Sequence, residues 1–459
     1  MRFKINKLRF SNLATLFLLL AYSLAATPGG VPLVAMAQPL TKGKNPPPFS
    51  AKDASQFPAE VPLAWFDLAY DLVRDEVLSP PVAARAFGYL GVALYESLVP
   101  GMPGYQSLAG QLNDLPALPK PAGKAYHWPV VSNSALAATL QALLPGASSA
   151  TQASIRALEI QFVEQFQPTL PPGVFQRSVD RGRSISQAIQ RWAGSDRAAA
   201  YSACPYLPPG GAGLWVPTPP GFRPPLLPCW GQLRPFVLAD GSQCSPDPPP
   251  AYSEDPGSDF YQEAWEVYTV VKQLTPEQLA IAQFWADDPG RTGTPPGHSI
   301  SILNQILVQQ EASLETGAEA YARLGIALAD SFIACWWTKY QHNLLRPITY
   351  IHTVLGDTTW STPVNTPPFP EYTSGHSVQS AAAAQVLADQ FGDQSFTDDT
   401  HAVLGYAPRT FTSFFAFAQE AAISRLYGGI HYRAAIERGL EQGTCVGQSV
   451  SALKFRIQQ

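Results

Sequence analysis

The chain has 459 residues, which is long enough to bury more than one domain-sized hydrophobic core, and 46% of the residues are hydrophobic. Only 14% are charged and the formal net charge is −5, so neither nucleic acid nor an anionic membrane surface is expected as a partner. Proline is unusually frequent, with 45 residues.

Residues 1–37 have the organisation of a secretory signal peptide. Basic residues precede the apolar stretch 13–26, and Ala35-Met36-Ala37 is a candidate cleavage site. The apolar stretch is short for a membrane span, which favours cleavage over an uncleaved anchor. No later run reaches about 18 uninterrupted apolar residues. We therefore expect an exported protein, periplasmic or extracellular, without stable membrane insertion.

The remaining chain is predicted to be helical on both sides of a long connection. Residues 38–60 are rich in proline and lysine and are predicted to be extended. Apolar residues recur at helical spacing through 61–200, which predicts an N-terminal helical bundle. The same spacing through 258–459 predicts a C-terminal helical bundle. The fold class is therefore all-α, with two packed helical bundles.

The connection 201–257 holds 15 of the prolines, with aromatic residues between them. This composition predicts an ordered loop on the helical body, because a disordered linker would contain few aromatic residues. Cys204, Cys229 and Cys244 lie in the loop, and an oxidising compartment would allow a disulfide among them, with the pairing left open. Since the chain has five cysteines, one thiol must stay free or pair between chains. No C-x2-C spacing supports a cysteine metal site.

Lys339 and Arg346 form the first candidate motif, K-x6-R-P. On a continuous helix, residues seven apart lie on nearly the same face, so both cations could reach one anion. Their neighbours are mostly apolar, which indicates a buried helix, and buried cations need an anionic partner. A solvated basic face is the alternative. Pro347 is predicted to end or kink this helix.

The segment 369–387 passes from a proline-containing loop into an alanine-rich helix, and Thr373 or Ser374 is the expected N-cap. The first turn of a helix presents unpaired N–H groups and the positive end of the helix dipole, and Gly375 lets a ligand approach the backbone. His376 could exchange protons with an anion bound there. The alternative is an ordinary helix start with an incidental histidine.

Arg425 and His431 form a third motif, S-R-x5-H, around the pair Gly428-Gly429. A left-handed or similar turn at the glycines would end the preceding apolar helix and could bring both side chains to one place. Taken alone, Arg425 could equally be a structural ion-pair partner.

In this order, the three motifs resemble those of the superfamily that contains vanadium-dependent haloperoxidases and phosphatidic-acid-phosphatase-type acid phosphatases. The chain resembles the bacterial exported haloperoxidases, and the resemblance places the active site in the C-terminal bundle. It also implies that Lys339, Arg346 and Arg425 neutralise a bound oxyanion. Guanidinium groups suit this task because they donate two parallel hydrogen bonds to an oxyanion.

The same resemblance assigns the remaining residues of the motifs. It implies that the Ser374 hydroxyl and the Gly375 N–H donate to the oxygens of the anion. His376 would be the acid and base. His431 would bind the central atom, either as the axial vanadium ligand or as the nucleophile that attacks phosphorus.

Three further residues resemble haloperoxidase positions. Trp336 stands three residues before Lys339, where haloperoxidases have a tryptophan, and Phe369 stands where chloroperoxidases and bacterial iodoperoxidases have a phenylalanine. Both could also be ordinary core aromatics. Asp288 lies in a stretch similar to the W-A-x-D-G segment of chloroperoxidases, which implies that it holds Arg425, with Asp287 as an alternative.

Two features depart from the family pattern. Pro295-Pro296-Gly297-His298 imitates the S-G-H motif but lacks its serine. We predict a helix from Ser299 onward, with His298 as a pocket-lining or capping residue. The superfamily usually has an aspartate four residues after the last histidine, where this chain has Ala435, so the second nitrogen of His431 needs another acceptor.

Two functions share this predicted pocket. A haloperoxidase would bind vanadate and use hydrogen peroxide to oxidise iodide, bromide or chloride to hypohalous acid, with an organic halogen acceptor as a further candidate partner. Lys339 would polarise the reacting oxygen. A phosphatase would hydrolyse phosphate monoesters through a phosphohistidine at His431. Trp336, Phe369, the large N-terminal half and the missing aspartate favour the haloperoxidase.

An exported anion-binding protein without chemistry is a third possibility, and the presence of both His376 and His431 argues against it. Halide preference and oligomeric state are open at the level of sequence.

Overall fold

The computed structural model describes residues 50–122 and 124–457. The predicted signal peptide 1–37 lies outside the described residues, as does the first part of the predicted extended segment 38–60. Within the described ranges the chain forms fourteen α-helices and one two-stranded sheet. The prediction of an all-α fold with two packed helical bundles and an ordered proline-rich loop is confirmed.

Six helices belong to the N-terminal bundle: α1 Glu60–Asp75, α2 Pro80–Leu98, α3 Trp128–Leu143, α4 Ser149–Phe166, α5 Pro172–Gly194 and α6 Ala198–Tyr201. Proline in the first turn of α2, α3 and α5 favours these starts, because the N–H that proline lacks would have no partner there. Ser148 caps α4 by accepting a hydrogen bond from the N–H of Thr151 at 3.2 Å.

Eight helices belong to the C-terminal bundle: α7 Asp259–Lys272, α8 Pro276–Phe284, α9 Thr294–Gln309, α10 Leu314–His342, α11 Pro347–Thr353, α12 Gly375–Phe391, α13 Phe414–Tyr427 and α14 Arg433–Ser451. The sheet pairs β1, Phe396–Asp398, with β2, Arg409–Phe411, in antiparallel orientation. Helix α9 begins at Thr294 and not at Ser299 as predicted, since prolines are tolerated in the first turn of a helix.

The two bundles meet along α2 and α10, and helices from both contribute to one hydrophobic core. Glycines permit the close approach. A Cβ atom on Gly325 of α10 would lie 2.6 Å from the carbonyl oxygen of Phe87, and one on Gly91 of α2 would overlap the carbonyl oxygen of Tyr321.

By length and composition the segment Pro80–Gly101 could cross a membrane, but 83% of its apolar window is buried inside the protein. The boundaries 61–200, 201–257 and 258–459 stay predictions.

The contact between α2 and α10 can be tested with a single added methyl group. We expect Gly91→Ala to lower the free energy of unfolding by about 1–3 kcal/mol, because the methyl group forces two backbones apart. Gly194→Ala is the control, since a Cβ atom at Gly194 has no neighbour within 4 Å among residues 50–122 and 124–457. Equal stabilities of the two variants in chemical denaturation would contradict the close packing.

The proline-rich loop is anchored on the helical body by a buried carboxylate. Asp330 of α10 accepts hydrogen bonds from the N–H groups of Phe236, Val237 and Leu238 at 2.7, 2.8 and 3.1 Å. Burial raises the pKa of Asp330 to about 6, and the three N–H donors oppose that rise. Trp215 of the same loop is completely buried. The loop is therefore part of the folded body, as its aromatic content predicted.

Two disulfides involve the loop. Cys204 pairs with Cys229 within it, and Cys244 pairs with Cys445 of α14, 201 residues away. Cys335 is buried as a free thiol. The prediction of one disulfide among the loop cysteines agrees with this pattern, whereas the bond to α14 could not be assigned from the sequence.

Candidate active site

The first motif is divided between two helices. Helix α10 carries Lys339 and ends at His342, because Asn343 adopts a left-handed conformation with φ 49°. Arg346 follows in extended conformation and precedes α11, whose first residue is Pro347. The prediction that one helix face presents both cations was therefore wrong, and Pro347 begins a helix instead of ending one. Both side chains still turn into the same buried region.

The other two motifs have the predicted local structure. Ser374 is the N-cap of α12, and its Oγ accepts a hydrogen bond from the N–H of Ser377 at 3.3 Å. Gly375 is the first helical residue, and a Cβ atom there would lie 4.0 Å from side-chain atoms of Phe332, Cys335 and Trp336, which is ordinary van der Waals contact. Arg425 lies in the last turn of α13, and Gly429 provides a left-handed turn with φ 72°. This turn brings His431 back toward Arg425.

These elements enclose a cavity of about 260 Å³. Four residues of the motifs line it: Gly375, His376, Arg425 and His431. Its apolar wall includes Trp336 and Phe369, whose ring centroids lie 4.8 Å apart. The N-terminal bundle contributes Pro80 and the proline-rich loop contributes Arg223 and Leu226, among other residues. The cavity therefore joins all three parts of the fold.

Lys339 and Arg346 lie behind the lining and hold the loop that carries Phe369. The ammonium group of Lys339 donates to the carbonyl oxygens of Pro370, Glu371 and Thr373, at 3.0 and 2.9 Å for the first two. Burial lowers the pKa of Lys339 to about 7 and that of Arg346 to about 10. Burial thus disfavours the charged form of both groups, and a bound anion would restore it.

Arg346 connects this loop to the last motif. Its Nε donates to the carbonyl oxygen of Phe369 at 3.0 Å, and its Nη1 donates to that of Ile430 at 2.8 Å. Nη1 also lies 3.1 Å from Nε2 of His431. Lys339, Arg346 and Ser374 thus surround the cavity without lining it, while the other motif residues face it directly.

Glu371 supplies the acceptor that the sequence lacks at Ala435. Its Oε1 lies 2.8 Å from Nδ1 of His431 and also accepts a hydrogen bond from the N–H of Tyr432 at 2.9 Å. Burial, together with the neighbouring cations, lowers the pKa of His431 well below its ordinary value. A neutral ring that donates through Nδ1 keeps its lone pair on Nε2. His431 is therefore oriented as a ligand.

Glu371 was not among the predicted site residues, although the sequence contains one signal for it. Glu371 lies between Phe369 and the buried Tyr372, and a carboxylate in such a setting needs a specific partner. Burial raises its pKa to about 8, against the effect of Arg346 and Lys339.

We expect Glu371→Ala to weaken binding of the expected oxyanion, vanadate, about 10–100-fold, because a ligand histidine that loses its outer acceptor loses its orientation. Glu371→Gln is the conservative control, since its amide oxygen can still accept from Nδ1 and from Tyr432. Vanadate affinity is measured by equilibrium dialysis alongside thermal unfolding. A loss of stability with unchanged affinity would show that Glu371 acts on the fold alone.

His376 lines the cavity in the first turn of α12. The backbone of Trp285 lies beside its ring. Nε2 is buried and has no hydrogen-bond partner among residues 50–122 and 124–457. Burial and the charge of Arg425 lower the pKa of His376 well below its ordinary value. The ring is thus neutral and can accept a proton.

Known proteins were compared with this chain. A family model described as the VCPO second helical-bundle domain matches residues 319–459. The crystal structure of the first bacterial vanadium-dependent iodoperoxidase is 38% identical, with a TM-score of 0.81, and the match covers 87% of this chain and 98% of that chain. The chain belongs to the vanadium-dependent haloperoxidases. Its cofactor is accordingly vanadate.

Two more distant haloperoxidase structures share the fold. The holo and apo forms of a bacterial vanadium-dependent chloroperoxidase are each 16% identical, with TM-scores of 0.65 and 0.62. These matches cover 88% and 82% of this haloperoxidase and 98% and 94% of the other chains. No curated protein sequence matches significantly.

The polar atoms of the haloperoxidase site fit an oxyanion such as vanadate. Among the described residues, Nη2 of Arg346 and Nε2 of His376 are buried without hydrogen-bond partners. A buried polar group without a partner costs about 1–3 kcal/mol, and a bound oxyanion that accepts from either group would remove that cost. The start of α12 adds unpaired N–H groups and a positive dipole end. These residues therefore suit vanadate.

Two predicted contacts of this haloperoxidase are not formed. Asp288 lines the cavity, but its Oδ2 accepts from Nδ2 of Asn365 at 2.8 Å. Arg425 instead donates to Ser424 and to the carbonyl oxygen of Ala282, and no direct ion pair joins it to Asp288 within the described residues. His298 does not line the cavity and does not cap a helix, because two buried carboxylates hold it inside the core.

Proposed function

We propose that this vanadium-dependent haloperoxidase oxidises iodide with hydrogen peroxide. The supporting observation is the 38% identity to a bacterial iodoperoxidase across almost the whole of that chain. The aromatic wall of Trp336 and Phe369 suits a large, weakly hydrated anion better than a small, strongly hydrated one, because a water-poor surface favours anions that lose water easily. Organic molecules that react with the hypohalous acid would be further acceptors.

The proposal gives each motif residue a role. His431 holds vanadate through Nε2, with Glu371 fixing its ring. Lys339, Arg346 and Arg425 supply positive charge, and Ser374 and the Gly375 N–H donate to its oxygens. Bound vanadate supplies a Lewis acid that activates hydrogen peroxide without changing its own oxidation state.

His376 manages the protons in this proposal. Its neutral ring would accept a proton from hydrogen peroxide and release it again as water is formed. Trp336 and Phe369 exclude water, and Nε1 of Trp336 is held by the carbonyl oxygen of Leu226 at 3.1 Å. Arg425 stays charged beside the ring and opposes its protonation between turnovers.

An assay series tests this function against the phosphatase alternative. The vanadate-free protein is incubated with orthovanadate or with phosphate. Oxidation of iodide, bromide and chloride by peroxide and hydrolysis of p-nitrophenyl phosphate are then measured side by side. We expect iodide oxidation only after vanadate loading, with bromide and chloride oxidised more slowly. Phosphate hydrolysis without halide oxidation would overturn the proposal.

We also propose that the enzyme is exported to the periplasm or beyond the cell. The signal-like residues 1–37 and the two disulfides support this, because disulfides persist in oxidising compartments. Cell fractionation and N-terminal sequencing of the mature enzyme test it. A cytoplasmic enzyme that retains Met1 would contradict export.

A further inference from the structure

A second buried polar cluster lies next to the vanadate site. It consists of Asp287, His298, Asp398 and His401, none of which is more than 3% exposed. The residues come from three segments: the connection between α8 and α9, the first turns of α9, and the end of β1 with the turn after it. The cluster therefore joins parts of the chain that are separated by more than a hundred positions.

His298 is oriented through its outer nitrogen. Nε2 lies 2.7 Å from Oδ2 of Asp398, and Oδ1 of that carboxylate accepts a hydrogen bond from the N–H of Thr400 at 3.0 Å. Nδ1 lies 2.8 Å from Oδ2 of Asp287. A metal-binding histidine usually has one nitrogen fixed by an outer acceptor such as a carboxylate and directs the other at the metal. Here Asp398 is the outer carboxylate, and Nδ1 points to Asp287, which could share the same ion.

His401 provides independent evidence that a ligand can bind in this cluster. Its Nε2 lies 3.1 Å from Oδ1 of Asp287. Nevertheless, neither nitrogen of His401 nor this oxygen has a hydrogen bond of normal geometry with any of the described residues. Leaving buried polar atoms without partners costs about 1–3 kcal/mol each. The ring of His401 is thus placed so that a ligand could bind the lone pair of one of its nitrogens.

We propose that Asp287, His298 and His401 bind a divalent zinc ion, or a related first-row metal ion, separately from vanadate. One ligand atom from each residue lies within 4.8 Å of the others. Two imidazoles and one carboxylate suit zinc, whose bonds to nitrogen and oxygen are about 2.0–2.2 Å, so the atoms need only small shifts. The ion replaces the proton that lies between Nδ1 of His298 and Asp287, and that proton leaves to solvent.

The proposed ion would stabilise the wall of the vanadate cavity. Asp287 is both a ligand of the cluster and a lining residue of the cavity, and it precedes the lining residue Asp288. The ring of His298 stacks on Trp285, with centroids 4.6 Å apart, and the backbone of Trp285 lies beside the ring of His376. The ion would thus fix the segment that positions His376.

Metal analysis of the full chain tests the site. The enzyme is freed of vanadate and treated with a chelator, and zinc or cobalt(II) is then added and excess ion removed. We expect one retained zinc per chain by elemental analysis, a higher unfolding temperature, and visible absorption bands of low-symmetry cobalt(II). Substoichiometric retention of both metals would overturn the proposal and leave a hydrogen-bonded cluster.

Variants locate the ion. His401→Ala should lose the retained zinc, and Asp398→Asn should weaken its affinity about 10–100-fold, since only the outer acceptor is altered. His352→Ala is the matched control, because His352 is half-buried and bonded to the carbonyl oxygen of Trp360 away from the cluster. His431→Ala should also keep its zinc. Unchanged zinc affinity in both His401→Ala and Asp398→Asn, or loss in His431→Ala, would place the ion elsewhere.

Discussion

Replacement of His431 by alanine is expected to abolish vanadate retention and halide oxidation together. His431 is the neutral ring whose Nε2 lies toward Arg346 and whose Nδ1 is fixed by Glu371. Removal of an outer acceptor alone weakens a metal site about 10–100-fold, so removal of the ligand itself should exceed about 100-fold. Retained vanadate is measured after gel filtration, and iodide oxidation is measured on the same samples.

His352→Ala is the control for this experiment, because it removes an imidazole outside the cavity. Thermal unfolding of both variants separates lost binding from lost folding. Normal vanadate retention by a folded His431→Ala variant would remove His431 from the binding site.

The variant His376→Ala should lose turnover while keeping part of its vanadate affinity. His376 lines the cavity, its Nε2 has no hydrogen-bond partner among the described residues, and its neutral ring can exchange protons with a bound substrate. Positioned acid–base groups contribute about 10²–10⁴-fold to rates, so we expect the turnover number for iodide to fall by that amount. Vanadate affinity should fall less, since Lys339, Arg346, Arg425 and His431 remain.

The comparison between the two variants decides the roles of the two histidines. Turnover numbers are measured at saturating vanadate, and affinities are measured by equilibrium dialysis in the absence of peroxide. The reverse pattern, with binding lost in His376→Ala and turnover lost in an otherwise loaded His431→Ala, would exchange the assigned roles.

Local features of the site were predictable because they depend on neighbouring residues. Ser374 caps α12 and Gly429 forms a left-handed turn, as polar caps and glycine pairs indicate. The continuous helix from Lys339 to Arg346 was a wrong prediction, and Asn343 shows why. Asparagine tolerates the left-handed conformation that ends a helix, and the apolar neighbours obscured that signal.

Long-range partners were not predictable from a single sequence. Glu371 meets His431 across 60 positions, and Cys244 meets Cys445 across 201. His298 was expected at the pocket or at a helix cap, but Asp398, 100 positions away, holds it in the core. In each case the contact depends on how helices pack, which local spacing does not determine.

The proline-rich loop has a consequence for enzyme design. It is fixed to α10 through Asp330, and its residue Leu226 donates through its N–H to the carbonyl oxygen of Pro368 at 2.8 Å while also lining the cavity. The proline-rich loop thus forms one exchangeable wall of the active-site cavity. Exchanging it between related enzymes should alter which molecules enter, while the anion-holding groups, which lie on other segments, remain in place.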